Sequence, residues 1–80
     1  MKTIRLFESG DKVAVTANRK WAVCTDNRQG GTEPVKVGRR ITCTVIKAFL
    51  DYETGQRYVA KTVKGRLVYF GQFDVEVALL

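Results

Sequence analysis

The 80-residue chain has no histidine, one proline (Pro34), one tryptophan (Trp21) and two cysteines, Cys24 and Cys43. Without histidine, proton transfer near neutral pH loses its usual carrier, and most nucleophile–base pairs and zinc sites lose their commonest member. The remaining acids do not replace it. Asp51 and Glu53 share one loop, and Asp74 and Glu76 share one strand face, a pattern that reads as solvated charge. No catalytic residue, metal ligand or cofactor site is therefore assigned, and the chain is not expected to be an enzyme. The cysteines form no CxxC pair, and each is embedded in apolar strand-like sequence. They read as buried free thiols rather than as a disulfide or a metal site. No run approaches the roughly 18 apolar residues of a membrane span, and the start MKTIRLFESGDK lacks an apolar core of signal-peptide length. The expectation is a cytoplasmic protein that does not engage a membrane.

What is present is a small, basic, strand-forming chain. Eighty residues correspond to one domain spanning 1–80, and at this size only about 60–65% of the unfolded surface is buried on folding. Hydrophobic residues at 45% and charged residues at 28% are ordinary globular values, so the chain should fold. The net charge is +6, and most of the surplus sits mid-chain. Residues 19–47 hold Arg19, Lys20, Arg28, Lys36, Arg39, Arg40 and Lys47 against only Asp26 and Glu33. Such a surplus favours a polyanion or an acidic protein as partner.

β-branched and aromatic residues alternate with polar ones, and no long window shows helical spacing. The strands expected are Thr3–Phe7, Lys12–Thr16, Lys20–Thr25, Arg39–Phe49, Arg57–Val63, Arg66–Phe70 and Phe73–Ala78. Glu8-Ser9-Gly10-Asp11 has turn chemistry and should join the first two as a hairpin. Asp51–Gln56 reads as a hairpin loop with Gly55 in left-handed conformation, and Lys64-Gly65 as a tight turn. Asp26–Pro34, with Gly30-Gly31 and the only proline, reads as a long loop that is either a binding loop or a solvated connection. Parity places Val13 with Val15, Trp21 with Val23, and Ile41 with Cys43 and Val45. In the last stretch it places Leu67, Tyr69, Phe73, Val75 and Val77 on a core face. Gly71 interrupts that set and marks a bend or bulge.

Short antiparallel strands must remove their edges, and the economical solution is a bent sheet that closes on itself. The fold class expected is all-β, a small, strongly bent antiparallel sheet or barrel. The turns and apolar strands of residues 9–78 carry a resemblance. Gly10-Asp11-Lys12-Val13 is followed by a variable middle, then Tyr58-Val59-Ala60-Lys61, a glycine turn, Leu67-Val68-Tyr69-Phe70 and Asp74-Val75-Glu76-Val77. In this order the chain resembles the SH3-like barrels, including KOW and Tudor-type modules, with an OB-like barrel as the alternative. In size and barrel type it is also similar to the plasmid-borne type II dihydrofolate reductases, whose pore is lined by a Val-Gln-Ile-Tyr strand. The nearest segment here, Leu67–Phe70, lacks the glutamine, and that function does not carry over.

Binding is the more natural use of such a domain. The candidate residues are Arg19, Lys20, Trp21, Arg28, Lys36, Arg39 and Arg40. Lys and Arg neutralise phosphates, and exposed aromatics stack on bases, which is how small barrels hold single strands. Trp21 is the ambiguous member, since its shared parity with Val23 assigns it to the core whereas exposure would make it a stacking ring. The alternative partner is an acidic host protein, blocked by a small inhibitor or adaptor of phage or mobile-element type. The apolar end Ala78-Leu79-Leu80 would pack on the barrel, mediate self-association or meet a partner.

Overall fold

The computed structural model describes residues 7–53, 55–73 and 75–80, so the first expected strand lies outside the described residues except for Phe7, and so does Asp74. Seven strands follow: β1 (Lys12–Ala17), β2 (Val23–Asp26), β3 (Thr32–Pro34), β4 (Arg40–Asp51), β5 (Gly55–Lys61), β6 (Leu67–Gly71) and β7 (Val75–Leu79). They form one antiparallel sheet in the order β3-β2-β6-β5-β4-β1-β7, strongly curled into a half-barrel, with no helix among the described residues.

Two of the expected hairpin turns are present where backbone chemistry requires them, while the hairpin expected at Glu8–Asp11 involves a strand outside the described residues. Gly55 (φ 80°) pairs with Asp51 across the β4–β5 loop. Gly65 (φ 86°) closes the β5–β6 turn, its N–H donating to the Thr62 carbonyl at 2.9 Å. β4 serves two neighbours, pairing with β1 through its first half and with β5 through its second. The register to β5 shifts between Val45 and Lys47, an irregularity that helps a long strand to curl.

The core fills the concave face. Val13, Val15 and Ala17 of β1, Val23 of β2, Cys43 and Val45 of β4, Tyr58 and Ala60 of β5, and Val68 and Phe70 of β6 meet there with Phe7 and Val35. Tyr58 lies between two rings, edge-on to Phe7 at 5.7 Å and stacked on Phe70 at 5.3 Å. The segment after β3 helps draw the curl together, with Val35 N–H bonded to the Val23 carbonyl and Gly38 N–H to the Ala17 carbonyl. The chain end is tied back too, Leu80 N–H donating to the Lys12 carbonyl at 2.8 Å, while the Leu79 and Leu80 side chains stay exposed.

Two expectations about the sheet fail, one of strand phase and one of a loop. On β6 the buried side chains are those of Val68 and Phe70, whereas Leu67 and Tyr69, assigned to the core by parity, are half-buried on the opposite face. Phe73 is exposed as well, and only Val75 and Val77 of that set pack against the core. Leu67-Val68-Tyr69-Phe70 is apolar throughout, so no polar residue fixes its phase. The chain also bends at Gln72-Phe73, so parity from β7 does not carry back into β6.

The second failure is the Asp26–Pro34 loop, which is a tight hairpin ending in the edge strand β3. Asn27 organises it. Its Oδ1 accepts the N–H of Gln29 and of Gly31, each at 2.9 Å, while its own N–H donates to the Gly31 carbonyl. Pro34 is tolerated because β3 is an edge strand, where a missing N–H interrupts no inner ladder.

Candidate functional site

Because Val68 and Phe70 face the core, Tyr69 faces outward, and register sets Cys24 of β2 and Val59 of β5 beside it. These three half-buried side chains form the middle of the outer face of the central strands. Functional groups gather at its two ends.

At the end marked by Ala22 and Gly71 lies a depression of about 300 Å³ lined by Arg19, Trp21, Arg57, Phe73 and Glu53. Trp21 is 54% exposed and does not belong to the core, contrary to its parity with Val23. The reason is local: the residue has φ 72°, in a turn where Ala22 N–H donates to the Arg19 carbonyl, so the alternation of β2 does not extend back to it. Glycines shape the rest. A Cβ on Gly71 would lie 3.1 Å from Arg57 Nη1, so the bare backbone lets the guanidinium lie across β6. A Cβ on Gly55 would come within 3.2 Å of the Phe73 ring and 2.8 Å of Gln72, so this glycine makes room for both.

At the opposite end a larger depression of about 810 Å³ opens between the β2–β3 and β5–β6 hairpin tips, with Arg28, Lys64 and Arg66 on its walls. It adjoins a groove of about 420 Å³ lined by Arg39, Pro34, Val35, Ile41 and the exposed Val63, and the two share Glu33, Lys64 and Arg66. Arg66 is committed to the fold. Its Nε and Nη2 donate to the Asp26 carbonyl at 3.1 and 2.9 Å, and it forms an ion pair with Glu33. The Tyr69 hydroxyl donates to Asp26 Oδ1 at 2.8 Å, which raises the phenol above its usual range, with burial and the carboxylate's charge acting in the same direction. Both acids nearest this end are thus already bonded.

The seven candidates divide between these places. Arg19 and Trp21 line the first depression, Arg28 and Arg39 the second and its groove, and Lys20, Lys36 and Arg40 are exposed but line none of them. Sequence reasoning missed Arg57, Phe73, Lys64 and Arg66. The last two flank the glycine of a tight turn, which by itself places them at a sheet end, and Phe73 follows the polar Gln72 after Gly71, a context that argues against burial.

Both thiols are free. Cys43 is buried, and burial pushes it up to about 11. Cys24 is half-buried, raised by burial and held back by the charge of Arg57, and its Sγ lies 3.5 Å from the Trp21 carbonyl. Among the described residues no three His, Cys, Asp or Glu side chains come together as a metal would require. Comparison with protein-family models, curated proteins and solved structures returns no match to this chain.

Proposed function

We propose that this domain is a non-enzymatic, cytoplasmic binding module whose Lys/Arg surface contacts nucleic acid. The supporting observation is that the sole tryptophan is exposed in the same depression as Arg19, Arg57 and the exposed Phe73. Aromatic faces offer stacking to bases and guanidinium groups neutralise phosphates, a combination that requires no catalytic group. A net charge of +6 adds long-range attraction to the same partner. The curled half-barrel agrees with the SH3-like resemblance of the turns and apolar strands, KOW and Tudor-type modules included, with an OB-like barrel as the alternative.

Affinity for DNA or RNA should fall steeply with salt, the log–log slope counting the phosphates neutralised. A purified protein that retains no nucleic acid and shifts none in a low-salt mobility assay would end this reading.

One observation favours a second reading, an inhibitor or adaptor that docks on an acidic host protein. Val63 is almost fully exposed beside Pro34, Val35 and Ile41, with Arg39 and Lys64 around them, an apolar step inside a basic rim. A pull-down with and without nuclease separates the two. A partner lost on nuclease treatment supports nucleic acid, and one retained supports the acidic protein.

A further inference from the structure

We infer that the ligand is single-stranded and lies along the outer face of β6, from the ring platform of Trp21 and Phe73 to the basic hairpin tips that carry Arg28 and Lys64. This rests on the nucleic-acid reading above and specifies its strandedness, path and polar contacts.

The first argument is placement. Depression and hairpin tips stand at opposite ends of the same three strands, since one is lined by Ala22 and Gly71 and the other by Asp26 and Arg66. Between Gly71 and Leu67 β6 runs four residue steps, about 13 Å at strand rise. Across that span the outer face is low, with Cys24, Tyr69 and Val59 all half-buried and in register. On β5 the outward positions are Arg57, Val59 and Lys61, so the path also has a cation near each end of its flank.

The second argument is charge. Acids on a phosphate path would repel it, and three line this one: Glu53 in the same depression as Arg19 and Arg57, and Asp26 and Glu33 at the hairpin tips. Asp26 accepts the Tyr69 hydroxyl and Glu33 is paired with Arg66. Arg28 and Lys64, exposed at the same tips, make no ion pair with a described residue and keep their charge for the ligand.

The third argument is strandedness. Trp21 and Phe73 offer ring faces, which stack on bases only where those bases are not already stacked and paired in a duplex. A single strand satisfies both ends, with bases on the rings and phosphates toward the hairpin tips.

Trp21 is the only tryptophan, so its emission reports the platform directly. The test titrates the full chain with single-stranded oligonucleotides of about 4 and about 12 nucleotides, the range that small barrels cover, and with a duplex. Anisotropy of a labelled strand serves as an independent measure of binding. Expected are quenching of Trp21 by both single strands, severalfold tighter binding of the longer one, and little quenching by duplex. Arg28→Glu with Lys64→Glu should leave quenching intact and abolish the length advantage. It should also lower the salt slope by about 1.4, at about 0.7 per single-strand phosphate. Arg28→Gln with Lys64→Gln gives the same reading should the reversal disturb folding.

Binding by anisotropy with unchanged Trp21 emission, equal affinity for duplex, or a length advantage that survives loss of both cations would overturn the path and leave the nucleic-acid reading standing. Failure of every oligonucleotide to bind would overturn both.

Discussion

The two faces of β5 and β6 make opposite demands on adjacent residues. Val68 and Phe70 are fully enclosed, whereas Leu67 and Tyr69, one step away along the same strand, remain half-exposed. The concave face is held by shape, aliphatic side chains packed around the Phe7–Tyr58–Phe70 ring cluster. The outer face is held by directed polar bonds, from Tyr69 to Asp26 and from Arg66 to the Asp26 carbonyl and Glu33. Packing energy scales with buried area and exposed polar bonds contribute little net, so stability resides on the concave side. The outer side is the one the proposed ligand would use.

The sharpest attempt to break this contrast is a pair of truncations. Phe70→Ala empties a fully buried site and should cost about 3–5 kcal/mol in urea unfolding, much of the stability of so small a domain. Trp21→Ala should stay within about 0.5 kcal/mol of wild type, as surface changes do, while weakening oligonucleotide binding. Equal destabilisation by the two would mean that the faces are not separate.

The thiols sharpen the contrast with a smaller effect. At pH 8.5 a thiol reagent should modify Cys24, on the outer face, well before Cys43, and urea should remove the difference. Cys43 also bears on alkaline stability. Its folded value of about 11 lies above the ordinary 9.0, so the native state holds the proton more tightly than the unfolded chain. Its contribution is fully present below pH 9 and is lost as pH rises toward 11, so the urea midpoint should decline through that window. A Cys43→Ser variant tests whether the decline belongs to this thiol, and a decline of unchanged size in the variant would assign it elsewhere.

The smallest effect is expected from Tyr69→Phe. Removing one hydroxyl that donates to Asp26 should cost about 0.5–1.5 kcal/mol in equilibrium unfolding, far below the Phe70→Ala figure. A loss as large as that of Phe70→Ala would place Tyr69 in the core after all.

Much of the sheet was legible because alternation with polar residues fixes phase. Val13 and Val15, and Cys43 and Val45, were placed correctly since Lys12, Thr16, Thr42 and Thr44 stand between or beside them. Phase was lost where that marker disappears, in the apolar run Leu67–Phe70, and where a left-handed residue resets the chain at Trp21. The β2–β3 hairpin was misread because its order comes from one side chain, Asn27, bonding backbone groups, which composition does not show. Four of the seven candidate residues line the depressions and the groove. Their partners Arg57, Lys64 and Phe73 come from distant segments that only strand pairing brings alongside.

Under the proposed stacking role, the left-handed backbone of Trp21 sets folding and recognition against one another at a single codon. A bulky residue at φ 72° carries about 1–2 kcal/mol of steric cost that glycine avoids. Trp21→Gly should therefore raise the midpoint of thermal unfolding, at about 4–8 °C per kcal/mol in a domain of this size, while deleting the ring. Selection for thermal tolerance alone would discard the tryptophan early. Its persistence under selection for activity, in a library randomised at position 21, would measure how much the ligand depends on that ring.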